Sequence, residues 1–218
     1  MPQINIAIPV GSLKLDAVFH YPNHEKSWPV ILLCHPHPRA GGDMNNNVVL
    51  AVASALEMVG LAVLRYNYRG VGKNKGAITT GPENTTDAIQ IVDFLTSTTW
   101  IDPSRIAVGG YSFGGRIAVE LAHQSSKIQA LCGIGTVSPE TDHHGWGASE
   151  QPKLFVIGDL DQFIPQAKFL EFTNQLAVPK EIHVVPGADH FFRGHENTVG
   201  QLVASFFHRW LITSDESR

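Results

Sequence analysis

The sequence predicts an α/β fold, with a mostly parallel central sheet of about eight strands flanked by helices. Three observations carry that expectation. Short runs rich in Val, Ile and Leu recur along the 218 residues, and several are continuously apolar instead of alternating, which suits strands covered on both faces. Stretches with helical periodicity separate the later runs. A serine between glycines, in Gly110-Tyr-Ser-Phe-Gly, sits where one apolar run gives way to a helix-like segment.

The first two runs, Gln3–Ile8 and Lys14–His20, have no helix between them. Val10-Gly-Ser-Leu has the composition of a hairpin turn, so the sheet is expected to begin antiparallel. Val30–Cys34 is the third run, and after it Val48, Ala51, Val52, Ala55, Leu56 and Val59 line one face of a helix. Ala62–Tyr66 follows as the fourth strand, with Ile89, Val92 and Leu95 marking the next helix and Arg105–Gly109 the fifth strand. Ala130–Ile134, Leu154–Ile157 and Glu181–Val185 complete the set. Pro165 suits the first turn of a helix, and Val199, Leu202, Val203, Phe206, Phe207 and Trp210 repeat the helical spacing near the end. No repeat, linker or low-complexity tract interrupts the chain, so 1–218 is expected to form one domain with a frayed tail at about 213–218.

A hydrophobic content of 43% with 17% charged residues describes a folded, charge-poor globule. The net charge is −4 and no stretch concentrates Lys and Arg, which argues against a nucleic-acid partner. The start, Met1-Pro-Gln-Ile-Asn, has neither a basic opening nor a long apolar core, and no apolar run approaches the ~18 residues that span a bilayer. The expectation is a soluble, cytoplasmic protein without a membrane partner, monomeric or a small homo-oligomer. Cys34 and Cys132 fall inside apolar runs, as reduced packing residues would.

A serine flanked by glycines at a strand-to-helix turn has a mechanical meaning. The turn is too tight for side chains at the flanking positions, lifts Ser112 out of the backbone, and points the following amide at the place where a reacting carbonyl oxygen would sit. A serine hydroxyl is a poor nucleophile until a neighbour removes its proton, so a histidine must be close. Of the 11 histidines, His20, His123, His183 and His208 fall within expected strands or helices. His190, in Pro-Gly-Ala-Asp-His-Phe-Phe, lies just past the last strand, at the sheet edge where strand ends gather functional groups. His195 is its nearest rival. Asp159 and Asp161 both follow the seventh run and compete to orient the imidazole, whereas Asp189, adjoining His190, suits a loop hydrogen bond.

Taken together, these residues resemble the α/β-hydrolase fold family over nearly the whole chain, most like its small, capless bacterial members. The matching segments are Cys34-His-Pro-His-Pro, Asn67-Tyr-Arg-Gly-Val-Gly, Asp102-Pro-Ser-Arg-Ile, the Gly110–Gly115 elbow, Asp161-Gln-Phe-Ile-Pro and Gly187-Ala-Asp-His. The resemblance implies an α/β-hydrolase fold with no large cap domain and a triad of Ser112, Asp161 and His190. It favours Asp161 over Asp159 because the family's acid commonly precedes a turn of the kind Gln162-Phe-Ile-Pro makes. An oxyanion hole needs two N–H donors. The elbow supplies Phe113, and the family takes the other from the loop after the third strand, often at His-Gly. Here Pro36 replaces that glycine and, like Pro38, has no N–H, so His37 is expected to donate through its backbone.

Caps enter this fold after the sixth strand, where Val137–Gln151 offers about 15 residues, enough for a loop or a short helical turn. An open, shallow cleft is therefore expected, with Trp146, Phe163, Phe191 and His37 as walls. The implied activity is hydrolysis of a small carboxylic ester or thioester through an acyl-serine intermediate, with a small-molecule acyl substrate and no cofactor. Peptidase, amidase or acyltransferase chemistry could use the same triad. A non-catalytic binding module is the rival from another class, although such proteins typically lose a triad member. His35 and His37 with His143 and His144 could suggest a metal cluster, but no acidic residue sits at ligand spacing beside either pair, so no metal is expected. Arg69-Gly-Val-Gly-Lys lacks the Gly-Lys-Ser/Thr of a phosphate loop and is read as a structural turn near the pocket rim.

Overall fold

A computed structural model describes residues 2–22, 27–136 and 150–212. Its strands are β1 (Gln3–Val10), β2 (Leu13–His20), β3 (Trp28–Cys34), β4 (Ala62–Tyr66), β5 (Ile101–Tyr111), β6 (Ile128–Ile134), β7 (Lys153–Gly158) and β8 (Lys180–Val185). Its helices are α1 (Asn47–Met58), α2 (Glu83–Ser97), α3 (Phe113–Gln124), α4 (Gln166–Asn174) and α5 (Glu196–Leu211), with a 3-10 turn at Pro38–Ala40. All eight strands form one sheet in the order β1-β2-β4-β3-β5-β6-β7-β8. β1 and β2 pair antiparallel from Val10↔Leu13 onward, and Gly11 turns the hairpin at φ 56°. β2 also meets β4 antiparallel, while every pairing from β4 to β8 is parallel.

The continuous apolar runs split by parity, because successive side chains on a strand face opposite ways. In β3, Val30, Leu32 and Cys34 join a core beneath α2, α3 and α4, whereas Ile31 and Leu33 join a second core beneath α1 and α5. β7 divides likewise, Phe155 and Ile157 to the first core and Leu154 and Val156 to the second. Full burial of each such side chain contributes about 1.5–3 kcal/mol. Cys34 and Cys132 are free thiols within these two cores, one in each. Burial pushes the Cys34 thiol up to about 12, which leaves it protonated.

Two expectations need adjustment. Pro165 caps α4 from outside, and the helix begins at Gln166. The turn after Tyr68 is indeed structural, because Asn74 donates to the carbonyls of Asn67 and Tyr68 and Arg69 grips Asp87. It is not part of the wall around Ser112, however. No helix among the described residues is long and apolar enough to cross a membrane.

The parallel register decides where the loops meet. Cys34 aligns with Gly110, and Tyr111 with Ile134. The segments after β3, β5, β6, β7 and β8 therefore gather at one edge of the sheet, at its carboxyl ends.

Candidate active site

Ser112 sits between β5 and α3 with φ 55° and ψ −116°, a left-handed conformation for a residue with a side chain. Such strain costs about 1–3 kcal/mol and persists only where the surroundings impose it. They do so here through very close approach. A Cβ on Gly110 would lie 2.0 Å from the Gly114 carbonyl oxygen, and one on Gly114 would lie 2.1 Å from that of Cys34. The Ser112 amide donates to Ile134 across the sheet at 2.7 Å, and its carbonyl accepts from Gly115 at 3.0 Å.

Two loops bring the partners. His190 Nε2 stands 3.1 Å from Ser112 Oγ, and its Nδ1 stands 2.7 Å from Asp161 Oδ2. An ionised carboxylate only accepts, so Nδ1 carries the proton and Nε2 presents its lone pair to the serine hydroxyl. Asp161 Oδ1 accepts from the amides of Phe163 at 2.9 Å and Ile164 at 2.8 Å, which closes the turn before Pro165 and holds the carboxylate. His190 is fixed from several sides. Its amide donates to Gln162 Oε1, its carbonyl accepts from the Tyr111 hydroxyl at 2.8 Å, and the Phe163 ring meets its imidazole edge-on. Gly135 gives the ring room, since a Cβ there would lie 3.3 Å from His190 Cε1.

The competing residues have other partners. Asp159 Oδ1 accepts from the Gly187 amide at 2.7 Å, tying β7 to the His190 loop, and Asp189 Oδ1 accepts from Phe191. His195 stands at the start of α5, away from the cavity wall. His35 is buried, its Nδ1 bonded to the Pro36 carbonyl at 2.7 Å and its Nε2 accepting from the Tyr68 amide at 3.2 Å. Both nitrogens are thus committed to backbone, which removes His35 from any metal site. His143 and His144 lie outside the described residues.

Ser112 and His190 open on a cavity of about 670 Å³ at the carboxyl ends of the strands. Phe163 and Phe191 form part of its wall, as does His37; Trp146 lies outside the described residues. The Phe113 and His37 amides, expected to bind an oxyanion, belong to residues on this wall and donate to no protein acceptor among the described residues. The His35–Gly42 segment is held tightly, Ala40 and Gly42 both donating to the His37 carbonyl and the Tyr68 hydroxyl donating to that of His35. Sequence reasoning passes over Arg116, Thr136 and Tyr111, which also line the cavity. For Arg116 a signal existed: a lone cation one turn past Ser112, among small and apolar helix residues.

Fold and site together define an alpha/beta hydrolase. The chain matches an alpha/beta hydrolase domain family over residues 28–205 and belongs to that family. An uncharacterized protein of Rickettsia prowazekii is 31% identical over 204 residues, which cover 88% of this chain and 83% of that protein. An alpha-beta serine hydrolase homologue from Coxiella burnetii superposes with a TM-score of 0.84 at 30% identity, covering 94% of this chain and 97% of its own. A Xanthomonas campestris protein described as an a/b serine hydrolase without lid gives 0.81 at 25% identity, with 97% and 95% covered.

Proposed function

We propose that this protein is a serine hydrolase that cleaves small carboxylic esters or thioesters through an acyl-serine intermediate. The observation that carries the reading is the hydrogen-bonded chain from Asp161 through His190 to Ser112, at 2.7 and 3.1 Å, opening on a cavity. In the first half-reaction Ser112 Oγ attacks the substrate carbonyl while His190 Nε2 takes its proton; Asp161 stabilises the resulting imidazolium. The carbonyl oxygen gathers negative charge and accepts hydrogen bonds from the Phe113 and His37 amides. His190 returns the proton to the departing alcohol or thiol, leaving the acyl group on Ser112. Water then repeats the sequence, yielding the acid and free enzyme.

The test is turnover of 4-nitrophenyl acetate with labelling by a fluorophosphonate. Ser112→Ala and His190→Ala should lower kcat by several orders of magnitude, with roughly 10³–10⁴-fold acceleration over water left by oxyanion stabilisation and binding. Ser112→Ala should take no label. Asp161→Asn should be strongly impaired, while Asp159→Asn, which only loosens the Gly187 contact, should stay within a few-fold of the parent. Undiminished turnover by folded Ser112→Ala would refute the mechanism.

A further inference from the structure

Arg116 brings a charge to the cavity that no carboxylate among the described residues pairs with. Its Nε is buried without a hydrogen-bond partner, and its guanidinium makes no ion pair or hydrogen bond among the described residues. It stands between the main cavity and a side groove of about 210 Å³ lined in part by Thr80, Pro82 and Glu120. Glu120 is engaged elsewhere, its Oε2 accepting from the Thr85 hydroxyl at 2.6 Å. His37, another residue of the cavity wall, carries a second orphan: its Nδ1 is buried and unpartnered among the described residues, its ring edge-on to Phe113 at 5.4 Å. No carboxylate lines the main cavity among the described residues, although the chain as a whole carries −4.

A half-buried arginine whose Nε is cut off from water and makes no ion pair among the described residues gives up hydration there with no charge pairing in return. A ligand carboxylate would supply both the charge and the planar pair of acceptors that the guanidinium fork fits. Arg116 is the fourth residue of α3, and helical side chains lean back toward the preceding turn, here the turn of Phe113 and Ser112. A carboxylate held there lies a few bonds from a carbonyl under attack by Ser112. We propose that Arg116 is the anion-recognition residue of this site, and that the preferred substrates are esters or thioesters carrying a carboxylate on the acyl or the leaving side. The inference rests on the hydrolase reading and names the substrate class for it.

The test compares two matched pairs. Monomethyl glutarate against methyl 5-methylhexanoate places the charge on the acyl side; 4-acetoxybenzoate against 4-acetoxybenzamide places it on the leaving side. In at least one pair, Arg116→Gln should lower the anionic-to-neutral ratio of kcat/KM by ten-fold or more, and Arg116→Lys should recover part of it. Glutarate titrated calorimetrically should bind Arg116→Gln at least ten-fold more weakly than the parent. Unchanged ratios in both pairs, with glutarate binding insensitive to Arg116→Gln, would overturn the proposal. Should no ester be turned over at all, the hydrolase reading fails, and the glutarate titration still decides whether Arg116 binds anions.

Discussion

Three histidines at the carboxyl edge of the sheet show how environment assigns unlike roles to one side chain. His190 is tied to a carboxylate and a hydroxyl, His37 keeps an orphan nitrogen on the cavity wall, and His35 is a buried strut for the loop after β3. Burial lowers the His35 pKa from 6.5 to about 4. Between those values the unfolded chain binds a proton that folded His35 refuses, so stability is full above about 6.5 and declines as pH falls toward 4. Protonation would also set an N–H against the Tyr68 amide and loosen the loop that carries His37. Denaturant unfolding of the parent should therefore show an acid loss of a few kcal/mol across this window that is absent from His35→Gln. Equal acid slopes in the two proteins would mean that His35 titrates normally.

Among the elements, α3 and β5 carry the site because they meet more closely than side chains allow. The Gly110–Gly114 contact and the approach of Gly114 to Cys34 are backbone against backbone, with nothing flexible to give way. Gly114→Ala must move α3 off the sheet, taking with it Ser112 and the Phe113 amide. It should destabilise by more than about 3 kcal/mol, in the manner of severe overpacking, and nearly abolish the proposed ester turnover. Gly60 is the control. It ends α1 at φ 79°, where Leu61 donates back to Leu56 and a Cβ would meet nothing within 4 Å. Gly60→Ala should cost only the left-handed penalty of about 1–2 kcal/mol and leave turnover intact. Urea unfolding and ester assays of both variants separate crowding from torsional strain.

For the whole molecule, the decisive feature is how little chain lies between β6 and β7. The connection from Ile134 to Lys153 is too short for a cap domain, and the Xanthomonas relative is described as lacking a lid. Each CH₂ enclosed by a pocket contributes about 0.8 kcal/mol, but a cavity without a cap domain encloses only the first few carbons of an acyl chain. Across uncharged 4-nitrophenyl esters, kcat/KM should peak between acetyl and butyryl and fall by octanoyl. A steady rise to decanoyl would point to an enclosed acyl tunnel.

The strands and helices of the described residues and the hairpin start were legible in the sequence, apart from the early start of β5 at Ile101, because apolar periodicity is written locally and burial on two faces forces long Val, Ile and Leu runs. The sequence also singles out Ser112 by its elbow glycines and His190 by its place in a loop past the last strand, and the fold brings both within hydrogen-bonding reach of each other. Choosing Asp161 over Asp159 took the family resemblance, as both flank the same turn; their separate partners, His190 and the Gly187 amide, appear only once β7 and β8 lie side by side. Tertiary structure alone disclosed the loop-holding role of His35, the orphan nitrogens of His37 and Arg116, and the room that Gly135 leaves for His190. The physical reason is common to them. Periodicity records which face of an element is buried, whereas hydrogen-bond satisfaction and close approach depend on atoms brought together from distant parts of the chain.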